Sequence, residues 1–166
     1  MHKITPCLWY DKQAEEAANF YVNVFLSAGR KNCRIGTIAR YGDEAAAISG
    51  LPKGTVMTVA FQLDGQDFLA LNGGPIFKFT EAISLMVSCE TQKEVDTMWD
   101  TLCQGGQESQ CGWLKDKYGL SWQIVPEALE KLMGDPDRAR SKRAMAALLQ
   151  MKKIEIKKLQ EAADRK

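Results

Sequence analysis

Residues 111–126 read CGWLKDKYGLSWQIVP, which has the layout of two short strands joined by a turn. Asp116 and Gly119 are residue types that favour chain reversal, because Asp can bond to the backbone that follows it and Gly tolerates left-handed conformations. In the second strand, a two-residue alternation places Ser121 and Gln123 on one face. We therefore predict that this stretch is the last hairpin of a β-sheet.

The first half of the chain predicts a strand, a helix and three further strands. Strand-like residues 4–10 precede residues 12–25, where apolar side chains recur every three or four positions, as in an amphipathic helix. Extended segments follow, the last two joined at Asp64-Gly65, a strong signal for a tight hairpin; the three segments are residues 33–41, 55–65 and 66–74.

The second half repeats this order in a shorter form. Residues 82–90 are rich in β-forming side chains, and residues 91–104 begin with a Thr cap and a Glu three positions later, which is typical of a helix start. Between Gly106 and the hairpin there is room only for a very short strand at residues 107–110. The sequence therefore predicts a duplicated module whose second copy is shortened.

Length and composition indicate an ordinary globular chain. It has 166 residues, of which 45% are hydrophobic and 26% are charged, enough for one domain with a single core. Its apolar runs are much shorter than the roughly 20 residues that span a bilayer, and the first residues lack the apolar core of a signal peptide. We expect a soluble, cytoplasmic protein with no membrane partner.

The five cysteines are odd in number and never form a Cys-x-x-Cys pair. Most of them lie in apolar, strand-like contexts, so we interpret them as buried, reduced thiols. Cys111, beside a glycine and a tryptophan, is the one to test for reactivity.

The residues after the hairpin predict a helical C-terminal extension over 127–166. From Asp135 onward, ten Lys or Arg stand against five Asp or Glu, so this segment carries +5 and the rest of the chain −4. Such a tail suits either a nucleic-acid partner or a solvated helical face. Acidic residues interrupt the basic ones and no aromatic residues lie among them, so we favour the solvated face and expect no nucleic-acid partner.

A family resemblance connects these features. The duplicated strand-helix-strand-strand-strand order, Phe20-Tyr21 on the first helix and a terminal D-x-x-G-x-x-W-x-I hairpin resemble the glyoxalase, bleomycin-resistance and extradiol-dioxygenase superfamily, also called the vicinal oxygen chelate fold. The pieces ITPCLWY, EEAANFY, LALNGGP and CGWLKDKYGLSWQIVP are similar to its PhnB-like branch, whose members are often labelled 3-demethylubiquinone-9 3-methyltransferase.

The resemblance covers roughly residues 3–126 and implies an α+β fold. It implies two βαβββ modules, about 1–75 and 80–126 with the second shortened, which form a cupped mixed sheet in a domain spanning 1–126. The helical extension would then be a separate segment, 127–166. The resemblance also implies a homodimer.

Metal-dependent members of the superfamily hold a divalent ion with about four His or Glu side chains. By resemblance, three of these positions fall on Pro6, Ala82 and Gln123, and the fourth falls near Phe68 or Ala70. None of these residues supplies an imidazole or a carboxylate, the donors that such ions require. The single histidine, His2, precedes the first strand and is interpreted as a terminal residue, so we expect no metal site of the usual family type.

The methyltransferase label implies a cofactor, S-adenosylmethionine, that a Gly-rich loop between a strand and a helix would hold. The nearest candidate, residues 72–75, has the sequence NGGP and runs into an extended segment. An isolated Gly-Gly after a strand is more often a turn. We therefore expect no cofactor.

Small ligands favour apolar pockets that hold a few convergent polar groups. The candidate pocket combines three kinds of side chain: those that the alternation places on one face, amides on apolar strands, and one tryptophan of the hairpin. Its members are Leu8, Tyr10, Gln62, Asn72, Trp113, Ser121 and Gln123. Alternatively, the amides satisfy backbone groups at strand ends, and Trp113 and Trp122 belong to the core. Tyr10 fits either a general acid or a pocket wall.

Three functions follow as hypotheses. The first is a metal-free protein that binds a small organic molecule, aromatic or quinone-like, in the cup of the sheet. The second is an enzyme on a small hydrophobic or quinone-like substrate, oriented by Tyr10, Gln62 or Gln123. The third is an interaction protein that acts through its basic helical tail.

Overall fold

The computed structural model describes residues 4–165, so His2 lies outside the described residues. The chain forms two compact units, Met1–Phe79 and Thr80–Lys166, which are described separately below. Each unit contains a four-stranded mixed sheet with helices, as the α+β prediction requires.

The first unit contains a βαβββ module with one additional helix. Its elements are β1 (Cys7–Tyr10), α1 (Ala14–Ser27), β2 (Arg34–Arg40), α2 (Asp43–Ser49), β3 (Val56–Leu63) and β4 (Gln66–Asn72). The sheet order is β1-β4-β3-β2, with β1 parallel to β4 and the other pairs antiparallel. Asp64 and Gly65 both have positive φ and join β3 to β4, so the predicted tight hairpin is confirmed.

The core of this unit lies between α1 and one face of the sheet. The helix contacts β3 and β4, and its buried side chains include those expected from the periodicity: Ala14, Ala17, Ala18, Tyr21, Val22 and Phe25. The ring of Tyr21 on α1 lies beside that of Phe61 on β3, which stacks with that of Phe68 on β4. The alanines let the helix approach the strands closely, and the aromatic rings fill the remaining volume.

Helix α2 was not predicted from the sequence. None of its residues is buried, so residues 43–49 lack the apolar periodicity that reveals a packed helix. Its three consecutive alanines have the highest intrinsic helix propensity, and Gly50 ends it in the left-handed conformation.

The second unit begins with the shortened module. Its elements are β5 (Ser84–Cys89), α3 (Gln92–Leu102), β6 (Gln107–Glu108), β7 (Trp113–Lys115) and β8 (Ser121–Pro126), with sheet order β5-β8-β7-β6. Strand β6 has two residues, which confirms the predicted shortening. At the start of α3, the Thr91 hydroxyl accepts from the Glu94 N–H, and the Glu94 carboxylate accepts from the Glu90 N–H, as the capping signal predicts.

Three helices complete the second unit: α4 (Glu127–Met133), α5 (Arg138–Leu148) and α6 (Ile156–Asp164). They enclose an apolar cluster of Leu129, Leu132, Ala144, Leu148, Ile154, Leu159 and Ala163, against which Cys111 and Val125 pack. The backbone N–H groups of Cys111 and Gly112 also donate to the carbonyls of Met151 and Lys152. The C-terminal segment is therefore part of the second unit. Met145 and Leu149 recur at helical spacing with Leu148 in the sequence, but both are exposed.

Charged groups of the C-terminal segment pair with carboxylates in the same unit. Arg140 contacts Asp135 and Asp164, and Lys153 contacts Asp96 and Asp100 of α3. These contacts neutralise part of the positive charge counted in the sequence.

The cysteines differ from the prediction in their burial. Cys89 is buried, but Cys7 is exposed, because it lies on the face of β1 away from α1, and the other three are partly exposed. None of the five, which all lie within the described residues, forms a disulfide. In the part of the chain that the structure describes, no helix has the length and apolar character needed to cross a membrane.

Candidate functional site

The hairpin of residues 111–126 is organised by one buried carboxylate. Asp116 accepts hydrogen bonds at Oδ1 from the backbone N–H groups of Tyr118 (2.8 Å) and Leu120 (3.1 Å), and at Oδ2 from the indole Nε1–H of Trp122 (2.8 Å). The first two bonds close the turn, and the third fixes the ring of Trp122 on the buried side of the sheet. A carboxylate is suited to this role because it can accept several bonds at once.

Strand β8 therefore presents different side chains on its two faces. Trp122 and Ile124 are buried on the face where β8 contacts α3. Ser121 and Gln123 point to the other face, where the register places them beside Ser84 and Met86 of β5 and beside Lys115 and Trp113 of β7. We call this second surface, formed by Ser84, Met86, Trp113, Lys115, Ser121 and Gln123, the open face of the second sheet.

Gln123 lies near the centre of the open face and is partly buried. Its amide Nε2 donates to the Ser84 Oγ at 2.8 Å. The register places Met86 of β5 on one side of Gln123 and Trp113 of β7 on the other. Met86 is 68% exposed, and Trp113 is partly buried. An oriented amide between an indole ring and a thioether is a mixed polar and apolar surface of the kind that small organic ligands contact.

Ser121 carries an unsatisfied hydroxyl group. The residue is 1% exposed, and no group within residues 4–165 forms a hydrogen bond with its Oγ. A buried polar group without a partner costs about 1–3 kcal/mol. Ser121 is also one of the residues that line a cavity of about 150 Å³, together with Trp113, Lys115 and the acidic residues Glu81 and Glu108.

An ion pair between Lys115 and Glu81 lies at this cavity. The Lys115 side chain is 33% exposed and that of Glu81 is 62% exposed. The hydrogen bond from Lys115 is the main cause that lowers the pKa of the Glu81 carboxyl below its ordinary value. The Glu81 carboxyl is therefore charged at neutral pH; it lies on the turn before β5, and its partner Lys115 lies on β7.

Leu8 and Tyr10 are not on an open surface. Both are buried on the face of β1 that meets α1, where the Tyr10 hydroxyl contacts the Tyr21 hydroxyl at 3.3 Å. This placement corrects the expectation that they line a pocket, because Cys7 and Trp9 occupy the face away from the helix.

Asn72 is also an internal residue. Its Oδ1 accepts from the Ala14 N–H at the start of α1 (2.8 Å), and its Nδ2 donates to the Val56 carbonyl on β3 (3.0 Å). The side chain is 2% exposed, so both ends of the amide satisfy backbone groups, which is the alternative left open from the sequence.

Gln62 has a more accessible position in the first unit. It donates from Nε2 to the Asp67 Oδ1 (3.0 Å) and, with Arg34 and Phe61, lines a cavity of about 180 Å³ on that sheet. Of the two hairpin tryptophans, Trp122 belongs to the core, and Trp113 reaches the open face. The structure thus brings Trp113, Ser121 and Gln123 together and separates Leu8, Tyr10 and Asn72 from any surface.

The residues at the metal positions implied by the resemblance do not fit a divalent ion. Pro6 has no donor side chain, Ala82 is exposed in the turn before β5, and the Gln123 amide is bonded to Ser84. Across residues 4–165, no group of three or more His, Cys, Asp or Glu side chains has a metal-binding arrangement.

The Gly-Gly pair at residues 73–74 does not form a cofactor loop. The Gly74 carbonyl accepts from the Trp9 indole N–H (2.9 Å), and a Cβ at Gly73 would lie 2.2 Å from the Trp9 ring. These glycines leave room for the indole at the end of β4, and no helix begins there. The local geometry therefore does not fit the nucleoside and sulfonium groups that the methyltransferase name implies.

Sequence reasoning missed three members of the open face, Ser84, Met86 and Lys115, and the carboxylate of Glu81. The signal for the first three was available in principle, because the two-residue period of β5 and β7 places them opposite Ser121 and Gln123 once the register is known. Glu81 lies 34 residues from Lys115 in a turn, and no sequence pattern connects the two.

Comparisons with known proteins agree with this fold. The family model for 3-demethylubiquinone-9 3-methyltransferase matches residues 2–125. A PhnB protein from Bacillus cereus, named provisionally as a 3-demethylubiquinone-9 3-methyltransferase, has 36% sequence identity and a TM-score of 0.64, covering 75% of this chain and 99% of its own.

A second solved structure, protein PA1353 from Pseudomonas aeruginosa, shares 16% identity with a TM-score of 0.58, covering 76% of this chain and 98% of its own, and so supports the fold alone. The search of curated proteins found no match. The family model matches residues 2–125, and the PhnB relative has 36% sequence identity, so the similarity shows the family as well as the fold. The chain belongs to the 3-demethylubiquinone-9 3-methyltransferase family, the PhnB-like branch of the glyoxalase, bleomycin-resistance and extradiol-dioxygenase superfamily.

Proposed function

We propose that this protein binds a small aromatic or quinone-like molecule on the open face of its second sheet, without a metal ion. The observation that carries this proposal is the buried, unpartnered hydroxyl of Ser121 beside a cavity that the Trp113 ring also lines. A polar group retained in such a position is stabilised when a ligand supplies the missing hydrogen bond.

The neighbouring side chains suit a planar ligand with oxygen substituents. Trp113 offers an aromatic ring for stacking, and the Met86 thioether makes favourable contacts with aromatic groups. Gln123 is held by Ser84 through its amide N–H, so its carbonyl oxygen can accept from a ligand hydroxyl. A quinone or phenol has both the ring and the oxygen atoms that these groups would contact.

A thermal-shift screen tests the proposal. The probes are benzoquinones, phenols and benzoates with short substituents, and binding is confirmed by quenching of tryptophan fluorescence. A ligand at 100 times its dissociation constant adds about 2.7 kcal/mol to the free energy of unfolding. Ser121→Ala should weaken binding about tenfold, because it removes the hydroxyl. Ser27→Ala, on the exposed end of α1, is the matched control and should leave affinity unchanged.

Absence of binding by every probe would contradict the proposal. A stoichiometric divalent ion in the purified protein would contradict its metal-free part. Gln123→Glu is the control for that measurement: it restores one carboxylate at a position that the resemblance assigns to a ligand, and it should still bind no ion because Pro6 and Ala82 supply no donor.

An enzymatic role on a small hydrophobic substrate is the second candidate. Gln123 supports it, because its amide is oriented and part of its surface remains accessible. Tyr10 does not support it as a general acid, because its hydroxyl is buried against Tyr21. Turnover of a bound quinone or phenol, lost in Gln123→Leu with binding retained, would favour the enzyme over the binding protein.

We also propose a homodimer, as the resemblance implies. Large exposed apolar side chains support an interface with a second copy, among them Ile76 and Phe77 in the first unit and Ile83 in the second. Light scattering after size exclusion should give twice the chain mass of 18.5 kDa. A single chain mass at micromolar concentration would contradict the dimer.

A further inference from the structure

The cavity beside Ser121 has a size that restricts its ligand. Its volume is about 150 Å³, below the range of about 300–1,000 Å³ that is common for ligand sites. A cavity of about this volume accommodates one benzene ring in an engineered protein. The space lined by Trp113, Lys115 and Ser121 therefore suits a single ring with a small substituent rather than fused rings.

Among the described residues, the lining of the cavity contains one ammonium and two carboxylates, of which Glu81 is paired with Lys115 and Glu108 with Lys152. The ammonium of Lys115 is the group that a negatively charged substituent would contact. The register places Lys115 directly opposite Ser121, so the ammonium and the unpartnered hydroxyl belong to neighbouring positions of the same face. Both groups can donate a hydrogen bond to an anion, and bonds of this kind are stronger than neutral ones. An anion between them would complete the hydrogen bonding of Ser121.

The present partner of Lys115 is the more easily replaced member of the pair. Lys115 is fixed on β7, but Glu81 lies in the turn before β5 and is 62% exposed. Exposed ion pairs contribute little to stability, because water solvates both charges well when they separate. A ligand anion can therefore take the place of the Glu81 carboxylate at little cost, whereas a cationic ligand would have to displace the strand-bound lysine.

We infer that the ligand is a monocyclic aromatic acid whose carboxylate lies between Lys115 and Ser121 and whose ring contacts Trp113. In this arrangement the Glu81 carboxylate competes with the ligand, because it is paired with the Lys115 ammonium when no ligand is bound. The inference rests on the proposed function and specifies its ligand class.

Isothermal titration with benzoate, benzamide and cyclohexanecarboxylate tests the inference on the full chain. Benzoate should bind about tenfold more tightly than benzamide, because only benzoate carries the charge. It should also bind more tightly than cyclohexanecarboxylate, which keeps the charge and loses the aromatic ring that contacts Trp113.

Two substitutions at the ion pair should act in opposite directions. Lys115→Met should remove the preference for benzoate over benzamide, and Glu81→Gln should increase benzoate affinity several-fold by removing the competing carboxylate. Lys53→Met and Asp43→Asn, which change an exposed ion pair in the first unit, are the matched controls and should leave both affinities unchanged. Circular dichroism checks that each variant is folded.

The outcomes separate the inference from the proposed function. Equal affinity for benzoate and benzamide, or a benzoate preference that survives Lys115→Met, overturns the inference and leaves aromatic binding intact. Weaker benzoate binding in Glu81→Gln also overturns it, and this variant remains informative if Lys115→Met does not fold. Absence of binding by benzoate and by every probe of the wider aromatic screen overturns the proposed function as well.

Discussion

Single residues determine both the fold of the hairpin and the properties of its open face. Asp116 and Ser121 are both buried polar residues, but they differ in their contacts: the Asp116 carboxylate accepts three hydrogen bonds, and the Ser121 hydroxyl has no partner within the described residues. The first arrangement stabilises the native state and the second costs free energy. Substitutions at the two positions should therefore change stability in opposite directions.

Asp116→Ala should lower the free energy of unfolding by about 3–5 kcal/mol, because it leaves two backbone N–H groups and an indole N–H without their acceptor. Urea denaturation followed by circular dichroism measures the change. The control is Asp43→Ala, which alters an exposed carboxylate and should change stability by less than about 0.5 kcal/mol. Equal effects of the two substitutions would contradict the role assigned to Asp116.

Ser121→Ala should raise the free energy of unfolding of the ligand-free protein by about 1 kcal/mol, since it removes an unsatisfied buried hydroxyl. The same denaturation experiment measures this, with Ser27→Ala as the exposed control. A clear destabilisation of Ser121→Ala would mean that the hydroxyl has a partner in the free protein.

How much of the site could be predicted from sequence also depends on individual residues. In β8, the polar residues Ser121 and Gln123 alternate with apolar ones, so the sequence itself distinguishes the open face from the buried face. In β1, the residues Cys7, Leu8, Trp9 and Tyr10 are all apolar or nearly so, and alternation alone does not reveal which face meets the helix. The alternation therefore correctly placed Leu8 and Tyr10 on the same face of β1, but that face meets α1 and does not line a pocket.

At the scale of elements, the order of the strands and the tight hairpin between β3 and β4 followed from local signals. The capping residues of α3, the Asp64-Gly65 turn and the apolar periodicity of α1 are all short-range patterns, and the structure confirms each of them. Helix α2 was missed because an exposed helix needs no apolar stripe. The contacts of β6 with other elements were not predictable either, because a two-residue strand carries no periodicity.

Glu108 on β6 contacts helix α3 and the segment between α5 and α6. Its carboxylate accepts from the Lys152 ammonium (3.2 Å) and from the Trp99 indole N–H of α3 (3.4 Å). The hydrogen bond from Lys152 is the largest cause that lowers the pKa of the Glu108 carboxyl. A lowered pKa in the folded state means that Glu108 contributes to stability above its ordinary pKa and loses this contribution as the pH falls through the lowered value.

Glu108→Gln should therefore reduce the urea midpoint at pH 7 and leave it unchanged once the pH is below the lowered pKa. The difference between the two proteins, measured in a series of buffers from pH 7 to pH 2, is the informative quantity. Glu44→Gln on the exposed helix α2 is the control for a loss of charge without these contacts. A difference that persists at the lowest pH would indicate that Glu108 acts through its shape rather than its charge.

At the scale of the whole molecule, the C-terminal segment is a structural part of the second unit. Ile154, between α5 and α6, is fully buried in the apolar cluster, and the backbone on either side of it pairs with Cys111, Gly112 and the side chain of Gln92. The sequence predicted the helices but not this packing, because the contacts join residues 40 to 64 positions apart. The basic residues of the segment follow the same pattern, as Lys152 and Lys153 contact carboxylates of β6 and α3.

Ile154→Ala should cost about 2–5 kcal/mol of unfolding free energy, the range for removing a buried aliphatic side chain. Ile48→Ala, at a position that is 89% exposed, is the matched control and should change stability by less than about 0.5 kcal/mol. Hydrogen exchange should locate the loss of protection in the second unit. If the C-terminal segment did not contribute to the core of the second unit, the two substitutions would change the free energy of unfolding by nearly equal amounts.

The division of β8 into two faces has a consequence for how this protein can diverge. Positions 122 and 124 support folding, and positions 121 and 123 border the candidate site, yet they alternate along one short strand. Mutational scanning of residues 121–124 should therefore alternate in effect: substitutions at 122 and 124 change expression, and substitutions at 121 and 123 change ligand preference. Related proteins could therefore change their ligand through substitutions at positions 121 and 123 while the buried face of the sheet keeps its packing.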